Sequence, residues 1–471
     1  MVRQVLRISA VAASSVTFAV ILGVSTIADR DATADGVDSG IIASSDPTGQ
    51  LRTLDVNGPI DLSNPFFQDL GTNGRRCLTC HQPDSAWTIT PDNVQARFRA
   101  TRGTDPIFSN NDGSNCEGAT AQSRAEKRAA YSLLLTQGLI RVGLDLPPGV
   151  EFAIDGVTDP YDCGPASNDA SFYRRPLPAT NLPFLTAVMW DGRESSPTMP
   201  LTQALMHQAN DATKGHAQAS VDLTEDQQQQ IVAFETGLFT AQARDHLAGS
   251  LRRGGAEGGP IFLATQTFFT GINDPVGLNP TGAPFNPKVF DLFDPWAARA
   301  HAADDDRAAA RRSIARGQEI FNTKSFTISG VGGFNGETFP SGVTIPSSLT
   351  GTCTVCHDSP NVGNHSVSAP LNIGLTDPTV APYLPVYSVR NLTTNEVVLT
   401  TDIGRAMITG KWRDLGRFKG PILRGLAARA PYFHNGSAAT LEDAVNFYDK
   451  RFSIGLTRRE KADLVAFLRS L

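Results

Sequence analysis

At 471 residues, 40% of them hydrophobic and 19% charged, the chain is long enough and apolar enough to bury more than one core, which excludes a disordered protein. A formal net charge of -6 and the lack of any long basic run argue against nucleic acid as a partner.

Residues 1–34 read as a signal peptide. Arg3 and Arg7 supply a basic start, Ile8 to Ala28 carry no charge, and Ala32-Thr33-Ala34 offers the small-x-small pattern of a cleavage site. The uncharged stretch is long for a signal, so an uncleaved membrane anchor is the alternative. Either way the folded part is expected to be exported, to the periplasm. Residues 35–60, rich in Gly, Ser and Asp, are expected to form a flexible leader.

The stretch RRCLTCHQP (75–83) carries Cys77, Cys80 and His81, and the same Cys-x-x-Cys-His returns as Cys353, Cys356 and His357. This is the attachment pattern of c-type haem: two thiols add across the vinyl groups, and the adjacent imidazole is held under the iron. A thioredoxin-like pair does not need the histidine, and a zinc site needs further ligands close by. Two covalently bound c-type haems are therefore expected, with His81 and His357 as iron ligands. The remaining cysteines, Cys116 and Cys163, lie in loop-like surroundings and in an exported chain are most simply a disulfide.

An internal repeat sets the domain organisation. LTEDQQQQIVAFETGL (223–238) aligns without a gap to LTRREKADLVAFLRSL (456–471), and both read as amphipathic helices behind a Thr N-cap. TAVMWDG (186–192) and APYFHNG (430–436) precede them at matching positions, which makes Trp190 and His434 counterparts. Gln227–Gln230 and Asp304–Asp306 read as a solvated helix face and a helix start. The expected fold is mainly α, two cytochrome c-like haem domains with long irregular loops. An N-terminal domain spans 61–250, a connector 251–310 and a C-terminal domain 311–471.

With WDGR (190–193), RGQEIF (316–321) and FKGPILRGLAARAPYFHNGSAATLEDAVNFY (418–448), these motifs resemble the bacterial dihaem cytochrome c peroxidase and MauG family. The resemblance implies that peroxide reacts at the His81 haem and that the His357 haem stores and relays electrons. It also implies that Trp190 carries charge between the haems. Where the peroxidases place a methionine ligand on the second haem, Tyr448 stands here, as in MauG. A hard phenolate favours ferric iron, whereas a thioether favours ferrous. Met407 is the rival ligand, and His434 is placed on the electron path beside the cofactor.

No histidine lies between His81 and Trp190 to cap the first iron. A distal base must move a proton between the peroxide oxygens. Gln203 matches the family's glutamine after a short insertion, but its glutamate falls near Thr213, which leaves His207 and His216 as substitutes, or as caps on that iron. The family's calcium ion rests on an asparagine side chain. Arg175 stands at that position here, while Arg429 and Pro431 still offer carbonyls.

The sequence thus points to an exported dihaem c-type oxidoreductase that reduces hydrogen peroxide at the N-terminal haem. A small cytochrome or cupredoxin would supply electrons. The alternatives are a dihaem electron carrier without turnover, or a MauG-like oxidase acting on side chains of a partner protein.

Overall fold

The computed structural model describes residues 40–163, 171–196, 198–297 and 305–471. The signal or anchor expected over 1–34 lies outside them. Among the described residues no helix is long and apolar enough to cross a membrane.

Part of the segment expected to be a flexible leader is ordered. Ile41–Asp46 and Gly49–Asp55 pair antiparallel, and the second strand pairs with Leu238–Asp245 in a four-stranded sheet closed by Gly249–Ser250. Polar composition hid a period of two: Leu51, Thr53 and Asp55 are buried while Gln50, Arg52 and Leu54 are less so. Asp46 makes the turn, its Oδ1 accepting from the backbone N–H groups of Thr48 (2.8 Å) and Gly49 (3.0 Å).

The expectation of a mainly α fold is met only in part. Eleven strands accompany eleven α-helices among the described residues. Val386–Asn391 alternates half-buried and buried side chains and joins Val397–Thr400 and Phe152–Thr158 in a three-stranded sheet. Ile140–Gly143 pairs with Ser171–Arg174, and Phe326–Ser329 with Ser348–Gly351. The Phe152–Thr158 pairing joins the two expected domains. So does the bond that Gln242 N–H donates to the Leu471 carbonyl (3.2 Å). The described chain forms one compact unit, so the boundaries at 61–250 and 311–471 separate sequence repeats rather than free-standing bodies.

The repeat helices form where the caps predict. Thr224 and Thr457 cap Glu225–Gly237 and Arg458–Leu468, each in a capping box with Gln227 or Glu460. The second helix crosses Asp306–Thr323 at Gly317, where a Cβ would come 1.9 Å from the Asp463 carbonyl oxygen. That close approach is why RGQEIF carries a glycine. Phe290 and Phe293, from the expected connector, complete the core around Phe321 and Phe467. Cys116 and Cys163 are joined by a disulfide, with Cα atoms 5.2 Å apart.

Candidate active site

Each Cys-x-x-Cys-His segment folds as a single 3-10 turn, Cys77–Thr79 and Cys353–Val355. In both, the histidine N–H donates to the carbonyl of the first cysteine (3.0 and 3.1 Å), which brings three side chains to one wall. His81 Nδ1 bonds the Trp87 carbonyl at 2.9 Å, and His357 Nδ1 bonds the Gly363 carbonyl at 2.7 Å. A carbonyl only accepts, so Nδ1 carries the proton and Nε2 is left as a ligand atom. Burial pushes both imidazoles toward neutrality, His81 down to about 4. It pushes the Cys353 and Cys356 thiols up to about 12 and raises Cys77 and Cys80 as well. The reshaped leader reaches this site: Trp87 Nε1 donates to Thr53 Oγ1 at 3.0 Å, so the leader strand fixes the residue whose carbonyl orients His81.

Two clefts open over these walls, of about 1630 and 1790 Å³ with their solvent-open mouths included. The first holds Cys77, Cys80 and His81, the second Cys353, Cys356, His357 and Tyr448. Their other linings fit haem. Arg424 is 2% exposed, donates Nη1 to the Asn361 carbonyl at 3.2 Å, and leaves Nε and Nη2 without a partner. Burial lowers Arg424 to about 9, Arg429 to about 10 and Lys419 to about 7. Buried cations without counter-charge are costly, and the propionates of a bound haem would supply it.

Trp190 and His434 meet. Trp190 lines both clefts, donates Nε1 to the Arg175 carbonyl at 2.8 Å, and lies edge-on to the His434 ring at 6.2 Å. His434 stacks on Phe418 at 3.9 Å. The echo between the segments is geometric: Met189 and Phe433 have φ of 68° and 69°, and Gly192 and Gly436 have 74° and 71°. The WDGR turn is pinned by Arg174, which bonds Asp402 (2.7 and 2.8 Å) and Asp191 (2.5 Å), all three side chains buried.

Tyr448, on helix Leu441–Phe452, lines the second cleft, and burial raises its phenol. Met407 does not line that cleft. It packs in a separate core with Phe152, Phe172 and Tyr387, so the rival-ligand reading is corrected. Gln203 and His207 are also corrected. Both are exposed, and His207 Nδ1 bonds Glu194 Oε2 at 2.6 Å, away from the first cleft. The face of helix Leu201–Gly215 that lines the cleft runs through Leu205, Gln208, Ala209, Ala212 and Thr213 to His216. Gln208 was missed. At about 100° per residue Gln203 lies about 140° from it, and helical periodicity would have separated the two. His216 Nδ1 meets Asp112 Oδ2 at 2.5 Å, and Asp112 Oδ1 meets Arg75 Nη1 at 2.5 Å. Burial opposes ionisation of Asp112, but the bonds from His216 and Arg75 prevail and hold its carboxyl below the usual range.

The calcium position does not fit calcium. The Arg175 guanidinium stands on the carbonyls of Ile89 (2.6 Å), Gln137 (2.9 Å) and Arg429 (3.2 Å), a fixed cation where the ion would need its ligands.

Segments of the chain match named proteins. It is 33% identical to cytochrome-c peroxidase IdrP2 of Denitromonas iodatirespirans over 132 residues, 26% of this chain and 36% of that protein. It is 43% identical to cytochrome c peroxidase Ccp of Escherichia coli (strain K12) over 76 residues, 16% of each. Over these segments the chain is similar to bacterial cytochrome c peroxidases. These matches span about a third or less of the peroxidases' own length. A solved MauG-like protein associated with microbial copper homeostasis aligns over 91% of this chain and 93% of its own, at 16% identity and a TM-score of 0.39. No family model matches the chain.

Proposed function

We propose that the chain is an exported, periplasmic dihaem enzyme that reduces hydrogen peroxide at the His81 cleft. Electrons from a small redox protein pass through the His357 cleft. One observation carries the reading: two clefts walled by matching Cys-x-x-Cys-His turns share Trp190. A haem bound in each would supply the redox-active iron.

The chain's own residues divide the remaining work. His81 and His357 present Nε2 because a backbone carbonyl holds the proton on Nδ1. Asp112, fixed by Arg75, holds His216 the same way, so His216 Nε2 takes the proton from one peroxide oxygen and returns it to the other. Gln208 offers an amide to orient the peroxide on the same helix face. Trp190 and His434 place aromatic rings between the clefts, and Tyr448 closes the second one. The test is the reaction of fully oxidised, haem-loaded protein with hydrogen peroxide, followed in the Soret band. Reaction without prior reduction supports an open first site. Inertness until one electron is added shows a capped site and overturns the assignment.

A further inference from the structure

Glu235 is the one acidic side chain lining the first cleft among the described residues. It is 6% exposed, with no hydrogen bond or ion pair to any described residue. Burial alone raises its carboxyl to about 8. The repeat shows that this acid is not needed to build the helix or the cleft. Ile231 and Glu235 align with Leu464 and Leu468, and all four line their own clefts. The second cleft is therefore the same construction with a leucine in place of the acid.

Resting on the reading that a haem occupies the His81 cleft, we propose that the Glu235 carboxyl is the proton-binding site coupled to that haem, taking up one proton as the iron takes up one electron. The balance is simple. A one-electron donor, a redox protein or a chemical reductant, converts ferric to ferrous iron, and carboxylate plus solvent proton becomes carboxylic acid, so the net charge of the cleft does not change. An uncompensated electron in a low-dielectric cavity is costly, and a nearby proton offsets it. His216 and Lys419 are the other titratable groups lining this cleft besides the cofactor-binding Cys77, Cys80 and His81, and Arg75, Arg424 and Arg429 are among its arginines. Cys77, whose thiol Glu235 also raises, ceases to titrate once the haem is attached.

The test measures the midpoint potential of each haem against pH in the loaded wild type, Glu235→Gln and Glu235→Leu. The second variant installs the residue its counterpart already has. In the wild type the first haem's reduction equilibrium should weaken as pH rises through the Glu235 titration, by up to tenfold per pH unit, or ~59 mV for a one-electron couple. Both variants should lose that segment, and the second haem should keep its profile. A protonated-carboxyl band in the redox infrared difference spectrum should vanish in Glu235→Gln. Unchanged pH dependence in both variants overturns the proposal. Haem content by mass spectrometry separates this from failure of the underlying reading: no haem at Cys77 and Cys80 ends that reading, whereas a haem with a Glu235-independent potential ends only this one.

Discussion

The proposed proton route turns on Asp112, which meets Arg75 Nη1 and His216 Nδ1 at 2.5 Å each and whose side chain is 8% exposed. Asp112→Asn keeps the shape and removes the charge, and its two consequences separate. Arg75 loses its carboxylate but keeps the carbonyls of Pro106 (2.8 Å) and Ile107 (2.7 Å). The stability loss should therefore sit at or below the low end of the ~3–5 kcal/mol for a broken buried pair. His216 loses the acceptor that fixes its proton, so part of the ~10²–10⁴-fold contribution of a positioned base should go with it. His216→Gln should lose that factor with little cost in stability, because this side chain is 40% exposed. If Asp112 acts through His216, the double variant should react no more slowly than His216→Gln alone. Stopped-flow mixing of oxidised protein with peroxide measures the rates, and urea unfolding measures stability. Losses that multiply, or a His216→Gln loss below tenfold, would refute the route. The acid limb gives a second check. The Asp112 carboxyl is held below its usual range, so its stabilisation is present above the unfolded value and fades as pH falls through the folded one. Asp112→Asn should flatten that limb of the stability profile.

Replacing Cys77 and Cys80, or Cys353 and Cys356, should each remove one covalent haem by intact mass. Tyr448→Phe should keep both haems and change the ferric spectrum of one, whereas Met407→Leu should leave that spectrum alone because Met407 lies in a separate core. Trp190→Phe should slow equilibration between the haems in rapid-mixing experiments while sparing the first reaction with peroxide. Gly317→Ala should cost at least about 1–3 kcal/mol in thermal or urea unfolding, since its new Cβ would overlap the Asp463 carbonyl.

What was legible in the sequence was what local chemistry fixes. The two Cys-x-x-Cys-His turns, the Thr-capped repeat helices and the Trp190–His434 correspondence all follow from short-range patterns, and the disulfide from composition and the expected compartment. What was not legible depends on the other half of the chain. Val386–Asn391 becomes a sheet strand because Phe152–Thr158 lies beside it, more than two hundred residues away in sequence. The leader was misread because composition was weighed and alternation was not. Met407 was weighed as a ligand by its position after His357, yet a Phe- and Tyr-lined core claims its side chain. Gln203 was chosen by counting from Trp190 across an insertion, and insertions break counting but not helical faces. Arg175 shows the converse: the substitution was visible, but only the fold brings its guanidinium onto the carbonyls.

The two clefts, built on one repeat, differ in a consistent direction. Where the second has Leu468, the first has Glu235, and the lining of the first also carries Gln208 and His216. On the proposed reading this asymmetry is what lets a duplicated unit do two jobs. Peroxide reduction consumes protons as well as electrons, so the cleft where it occurs needs groups that gain, hold and release protons near the iron. Electron storage is best served by the opposite, an apolar surround with a fixed ligand set, so that oxidation state changes without drawing in water. Trp190 joins the two because an aromatic ring passes charge without passing solvent. The Arg174–Asp191–Asp402 lock holds the turn that carries Trp190, and on the proposed reading protons then move on one side of that ring alone.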